Sequence, residues 1–73
     1  MVMKVHAILT SGDVIRERFE HENPTIAIEW AFICAMAFED RMRDSGDVQK
    51  VILLQDSRIL KYMDNADTGW IDL

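Results

Sequence analysis

The secondary structure and the core of this chain depend most on residues 23–43, NPTIAIEWAFICAMAFEDRMR. Asn23 is a strong N-cap residue, and Pro24 suits the first helical position because its missing N–H would have no partner there. Ser45-Gly46 supplies a stop signal at the other end. These signals predict one helix from Pro24 to about Arg43.

One side of this helix is the natural core side. At about 100° per residue, a single broad face collects six residues: Ala27, Trp30, Ala31, Cys34, Phe38 and Met42. The small residues among them let the helix lie close to a sheet. The two large aromatic residues, Trp30 and Phe38, are predicted to anchor the core.

The other side of the helix mixes charge with large apolar residues. Glu29, Glu39, Asp40 and Arg43 are expected in water, yet Phe32 and Met36 stand on the same side. These two are four residues apart and are therefore neighbours on the helix surface. A helix that packs on one sheet buries only one stripe, so apolar residues on its remaining side need a second cover.

Two kinds of cover for these apolar residues are consistent with the sequence. The C-terminal tail, residues 64–73, carries Trp70-Ile71-Asp72-Leu73 and either docks on the core, over the helix, or on a neighbouring chain. In the second alternative, which we favour, this surface of the helix binds a second copy of the chain or another protein. The predicted interface residues are Ile28, Phe32, Ile33, Met36, Trp70 and Ile71.

The segments on either side of the helix show the period of two that is typical of strands. Val2–Thr10 and Val14–Glu20 flank Ser11-Gly12 and predict a β-hairpin. Val48–Gln55 and Arg58–Met63 predict two further strands. The fold class is α+β: a ββαββ chain with a four-stranded antiparallel sheet and one helix packed across one face, in a single compact domain of residues 1–73.

The third strand also has apolar residues on both of its sides. Ile52 and Leu54 point away from Val51 and Leu53 because strand residues alternate between faces. A strand that is apolar on both sides indicates that both faces of its sheet are covered.

Composition narrows the class of partner. The chain has 73 residues and a net charge of −5, with 13 Asp and Glu against 8 Lys and Arg. Direct binding to nucleic acid is therefore not expected, since it depends on clustered Lys and Arg. The uncharged stretch from Trp30 to Phe38 is far shorter than the roughly 18 residues of a membrane span. The single cysteine, Cys34, fits a reducing, cytoplasmic location.

No motif for catalysis, a cofactor or a metal is present. His6 and His21 could approach each other through strand pairing, with Glu20 or Glu22 nearby, but no HxH, HxxxH or CxxC spacing supports a ligand set. Cys34 lies inside an apolar run, away from any base. The segment Asp64–Gly69 lacks the calcium-loop pattern and is better explained as an Asx turn. We therefore predict no catalytic, cofactor-binding or metal-ligating residues.

Three functions follow as hypotheses. The first is a small acidic, non-enzymatic protein-binding module, a homodimeric regulator or inhibitor that acts on a further protein, as accessory and phage-encoded proteins of this size do. The second is an acidic mimic of nucleic acid that occupies the basic cleft of an enzyme. The third is a small enzyme or metal-binding domain that uses His6 and His21.

Overall fold

A computed structural model describes the whole chain, Met1–Leu73, as one helix and five strands. The elements are β1 (Val2–Leu9), β2 (Val14–Glu20), α1 (Pro24–Asp44), β3 (Val48–Gln55), β4 (Arg58–Met63) and β5 (Ile71–Asp72). The predicted α+β class, with one helix packed against an antiparallel sheet, is confirmed. The predicted number of four strands is wrong, since β5 adds a fifth.

The sheet has the order β2-β1-β3-β4-β5, and every neighbouring pair is antiparallel. Both β2 and β3 run antiparallel to the strand between them, β1, and so they run in the same direction as each other. The connection from β2 to β3 is therefore a crossover, and α1 forms it. This crossover places α1 on one face of the sheet, where it packs on β1, β2 and β3.

The core lies between α1 and this face. The sheet contributes Met3, Val5, Ala7, Val48, Val51 and Leu53, and the helix contributes Ala27, Ala31, Ala35 and Phe38. Phe38 is 7% exposed, as predicted. Cys34 and Met42 pack against the core at its margin.

Trp30 is the exception to the predicted core side. Its side chain is 45% exposed, so the prediction that it anchors the core is wrong. The reason is steric: Ala27 and Ala31 are fully buried beside it, and the close approach that they allow leaves no depth for an indole. The periodicity of apolar residues marks a side of the helix but does not encode this depth.

Both helix ends are capped as the sequence indicates. The Asn23 side-chain oxygen accepts a hydrogen bond of 3.0 Å from the backbone N–H of Thr25. At the other end, the N–H groups of Ser45 and Gly46 both donate to the carbonyl of Arg41. The 21-residue helix α1 does not contain an apolar stretch that is long enough to cross a membrane.

The C-terminal tail lies along the edge of the sheet and does not fold over the outside of α1. It begins with the predicted Asx turn, in which the Asn65 side chain accepts a 2.9 Å hydrogen bond from the N–H of Asp67. Trp70 then packs against the core, and β5 pairs with β4 through Tyr62–Ile71 and Lys61–Asp72. A two-residue strand has no periodicity of its own, which is why the sequence pattern missed it.

Candidate functional site

The most exposed apolar surface on α1 consists of four large side chains, which we call the helix patch: Trp30, Phe32, Ile33 and Met36. Their exposed fractions are 45%, 38%, 67% and 58%, respectively. They occupy consecutive turns on the side away from the sheet, so their surfaces adjoin. An apolar surface of adjoining large side chains is a common mark of a protein-binding site.

The helix patch is anchored at its two margins and free at its centre. At one margin, the Trp30 ring meets the His21 ring edge-on, with centroids 5.4 Å apart and planes at 88°. At the other margin, the Lys61 ammonium lies 5.4 Å from the centroid of the Phe32 ring. These contacts hold the two aromatic rings in place, whereas Ile33 and Met36 project between them into solvent.

Charged side chains border the helix patch, and most of them are acidic. Glu29 lies at its N-terminal end, and Asp40 and Asp44 lie at its C-terminal end, all three exposed. Two basic residues also border it: Lys61, beside Phe32, and Arg43, whose guanidinium lies 3.9 Å from Glu39 and 4.0 Å from Asp40. An apolar centre with a charged border is the usual layout of a protein interface.

The structure brings only part of the predicted interface together. Phe32, Ile33 and Met36 adjoin as expected, but Ile28 and Trp70 are half-buried against the core. Ile71 lies on β5 beside Tyr62 and belongs to the opposite side of the molecule. The sequence reasoning missed Trp30 as a surface residue because it had been placed in the core.

The two histidines are far apart. His6 pairs with Arg16 in the middle of the β1–β2 hairpin, whereas His21 follows the end of β2. The separation is five residues along the strand, roughly 16 Å at about 3.3 Å per residue. His21 acts locally: its Nδ1 accepts a 2.9 Å hydrogen bond from the backbone N–H of Asn23.

No group of three His, Cys, Asp or Glu side chains is arranged to hold a metal ion. Cys34 is half-buried, and burial raises the pKa of its thiol, with Glu17 adding to the rise. A raised pKa keeps the thiol protonated at neutral pH, where only the thiolate is strongly nucleophilic.

The acidic residues considered for mimicry of nucleic acid are largely paired. Seven carboxylates were candidates: Glu17, Glu20, Glu22, Glu39, Asp40, Asp44 and Asp47. Four of them have an arginine partner, of which the shortest pair joins Asp47 to Arg41 at 2.6 Å. That hydrogen bond, followed by one from Ser45, lowers the pKa of Asp47. The three arginines that make these pairs offset part of the negative charge that the surface would present to a basic cleft.

No protein-family model matches the chain, and neither the curated proteins nor the solved structures contain a significant match.

Proposed function

We propose that this chain is a non-enzymatic protein-binding module that self-associates through the helix patch and modulates a further protein. The observation that carries the proposal is the exposure of Phe32, Ile33 and Met36 on the outside of α1. The C-terminal tail pairs with β4 at the edge of the sheet, so no segment of the chain covers the helix patch.

A two-fold dimer is the assembly that this surface favours. A single self-complementary patch closes an assembly when two copies meet about a two-fold axis, because each copy then buries the same residues. Ile33 and Met36 project furthest and would pack against their counterparts, and the anchored rings of Trp30 and Phe32 would surround them. The acidic border would stay at the rim, in water.

The mimic of nucleic acid has less support from the charge distribution, since four of its seven carboxylates pair with arginine. Salt separates the two functions. Binding through charge weakens steeply as salt rises, whereas apolar association hardly changes.

The test is sedimentation of wild type and of the double variant Phe32→Glu, Met36→Lys. Wild type should sediment as a dimer at tens of micromolar, and the variant as a folded monomer with unchanged helix content by circular dichroism. Folding should survive because both side chains are exposed and Phe32→Glu places a carboxylate near Lys61.

A matched control is Ile59→Glu with Ile71→Lys, at residues that are 40% and 38% exposed on the other side of the molecule. It introduces the same two charged residues away from the helix patch and should remain dimeric. Monomeric wild type at these concentrations would refute the dimer, and monomerisation by the control alone would refute the helix patch as its interface.

A further inference from the structure

The face of the sheet opposite α1, which we call the open face, has no covering element. Strand pairing sets one residue from each strand side by side across it: Arg16, His6, Ile52, Tyr62 and Ile71. The neighbouring row contains Arg18, Lys4, Leu54 and Ile59. The open face therefore divides into a basic half on β1 and β2, extended by Lys50 at the start of β3, and an apolar half on the rest of β3, β4 and β5.

The basic half is unusual in a chain of net charge −5. Four of the eight Lys and Arg side chains make no ion pair, and three of these four, Lys4, Arg16 and Lys50, lie on the open face. The pKa of His6 is lowered by burial and also by Arg16 and Lys4, in agreement with a locally positive surface. Neither row contains a carboxylate. Glu20 lies further along β2 and pairs with Arg18 at 2.9 Å, and Glu17 lies at the edge of the depression over these basic side chains.

The apolar half contains a shallow depression of about 280 Å³, lined by Lys50, Ile52, Ile59, Tyr62 and Leu73. The Lys50 ammonium lies 4.9 Å from the centroid of the Tyr62 ring. Ile59 and Leu73 are 40% and 72% exposed. A second depression, of about 340 Å³, lies over the basic half.

We propose that the open face binds an amphipathic acidic segment of a partner protein. Carboxylates of that segment would pair with Lys4, Arg16 and Lys50, and its apolar side chains would cover Ile52 and Ile59. The inference rests on the proposed function, a protein-binding module, and adds the partner's chemistry and its surface. The helix patch stays available for self-association because it lies on the other side of the chain.

Two other occupants fit less well. Single-stranded nucleic acid binds sheets by stacking bases on several aromatic rings, but Tyr62 is the only large aromatic residue on the open face. The helix patch of a second copy has complementary charge, yet it lies on the opposite side of the molecule. Such a contact repeats without closing and produces a growing chain of copies.

The experiment uses a fluorescent peptide made of Asp, Glu, Leu and Phe. A length of about 16 residues as a helix crosses five strands at about 4.8 Å each. Fluorescence anisotropy should show saturable binding that weakens with salt. A peptide with Lys in place of Asp and Glu should not bind, and oligothymidylate should bind more weakly than the acidic peptide.

Arg16→Glu should weaken binding of the acidic peptide by about tenfold or more, because it sets a like charge against the ligand. Arg58→Glu makes the same charge change on an exposed arginine that, like Arg16, makes no ion pair. Arg58 lies opposite Gln55 and outside the two rows of the open face, so this variant should leave binding within about twofold. Lack of binding by wild type, equal binding by both variants, or tighter binding of oligothymidylate would each overturn the proposal. Open-ended oligomers of wild type would identify a second copy as the occupant and would also overturn it.

Sedimentation of the same samples separates the two proposals. A dimer that does not bind the peptide refutes only the open face as a binding surface. A monomer that binds it refutes only the self-association of the helix patch.

Discussion

Both sides of α1 carry apolar residues, but the residues on the two sides differ in size and in burial. The side against the sheet buries Ala27, Ala31 and Ala35, whereas the side in solvent displays Trp30, Phe32, Ile33 and Met36. Small side chains allow close contact between helix and sheet, and large ones would hold the two layers apart. Three of the four residues that α1 buries are alanines and the fourth is Phe38, so the size of an apolar residue, together with its hydrophobicity, affects which side of this helix it occupies.

The largest expected difference between the two sides comes from the aromatic residues. Phe38→Ala should lower the free energy of unfolding by about 3–5 kcal/mol, because it empties a buried site. Trp30→Ala should cost about 1–2 kcal/mol, since its side chain is already 45% exposed. Urea titration of both variants measures their free energies of unfolding. A larger decrease for Trp30→Ala than for Phe38→Ala would show that Trp30, not Phe38, anchors the core.

Two alanines on different sides of α1 test how closely the helix packs on the sheet. Ala35→Leu should destabilise the fold by about 1–3 kcal/mol, because the buried contact with the sheet has no room for the larger side chain. Ala37→Leu, at an exposed position of the same helix, should change stability by no more than about 0.5 kcal/mol. Thermal unfolding of the two variants measures the contrast, and equal melting temperatures would show that the layers are not closely packed.

The smallest effect concerns pH and the open face of the sheet. The pKa of His6 in the folded chain lies below its ordinary value of 6.5, so the unfolded chain binds more protons in this range. Stability should therefore fall as pH drops from about 6.5 towards the folded pKa. His6→Gln should flatten this part of the stability profile, measured by urea titration at several pH values, whereas an unchanged slope would place its origin elsewhere.

Local signals were enough to predict most of the fold. Asn23-Pro24 and Ser45-Gly46 mark the ends of α1, and the structure ends that helix one residue later than expected, at Asp44. The period of two located the four longer strands, although register shifts at Ile8/Leu9 and Leu53/Leu54 interrupt it. The strand β5 was not predictable in this way because its two residues are held by the docking of Trp70 and by pairing with β4.

The candidate surfaces were only partly predictable for a similar reason. Phe32 and Met36 could be assigned to the outside of α1 because they are about one helical turn apart and share a side with Glu29, Glu39 and Arg43. The basic half of the open face was not foreseen, since Lys4, Arg16 and Lys50 are scattered along the sequence. Only the register of β1 between β2 and β3 brings them onto one face.

The central position of β1 also has a consequence for the folding pathway. The β1–β2 hairpin and α1 are local structures, so little loop-closure entropy is lost when they form. In contrast, β1 meets β3 only after a loop of about 40 residues has closed. Non-local pairing of this kind raises contact order and slows folding. We expect the β1–β3 ladder to form in the rate-limiting step, and until it does the buried faces of both strands stay open to other chains.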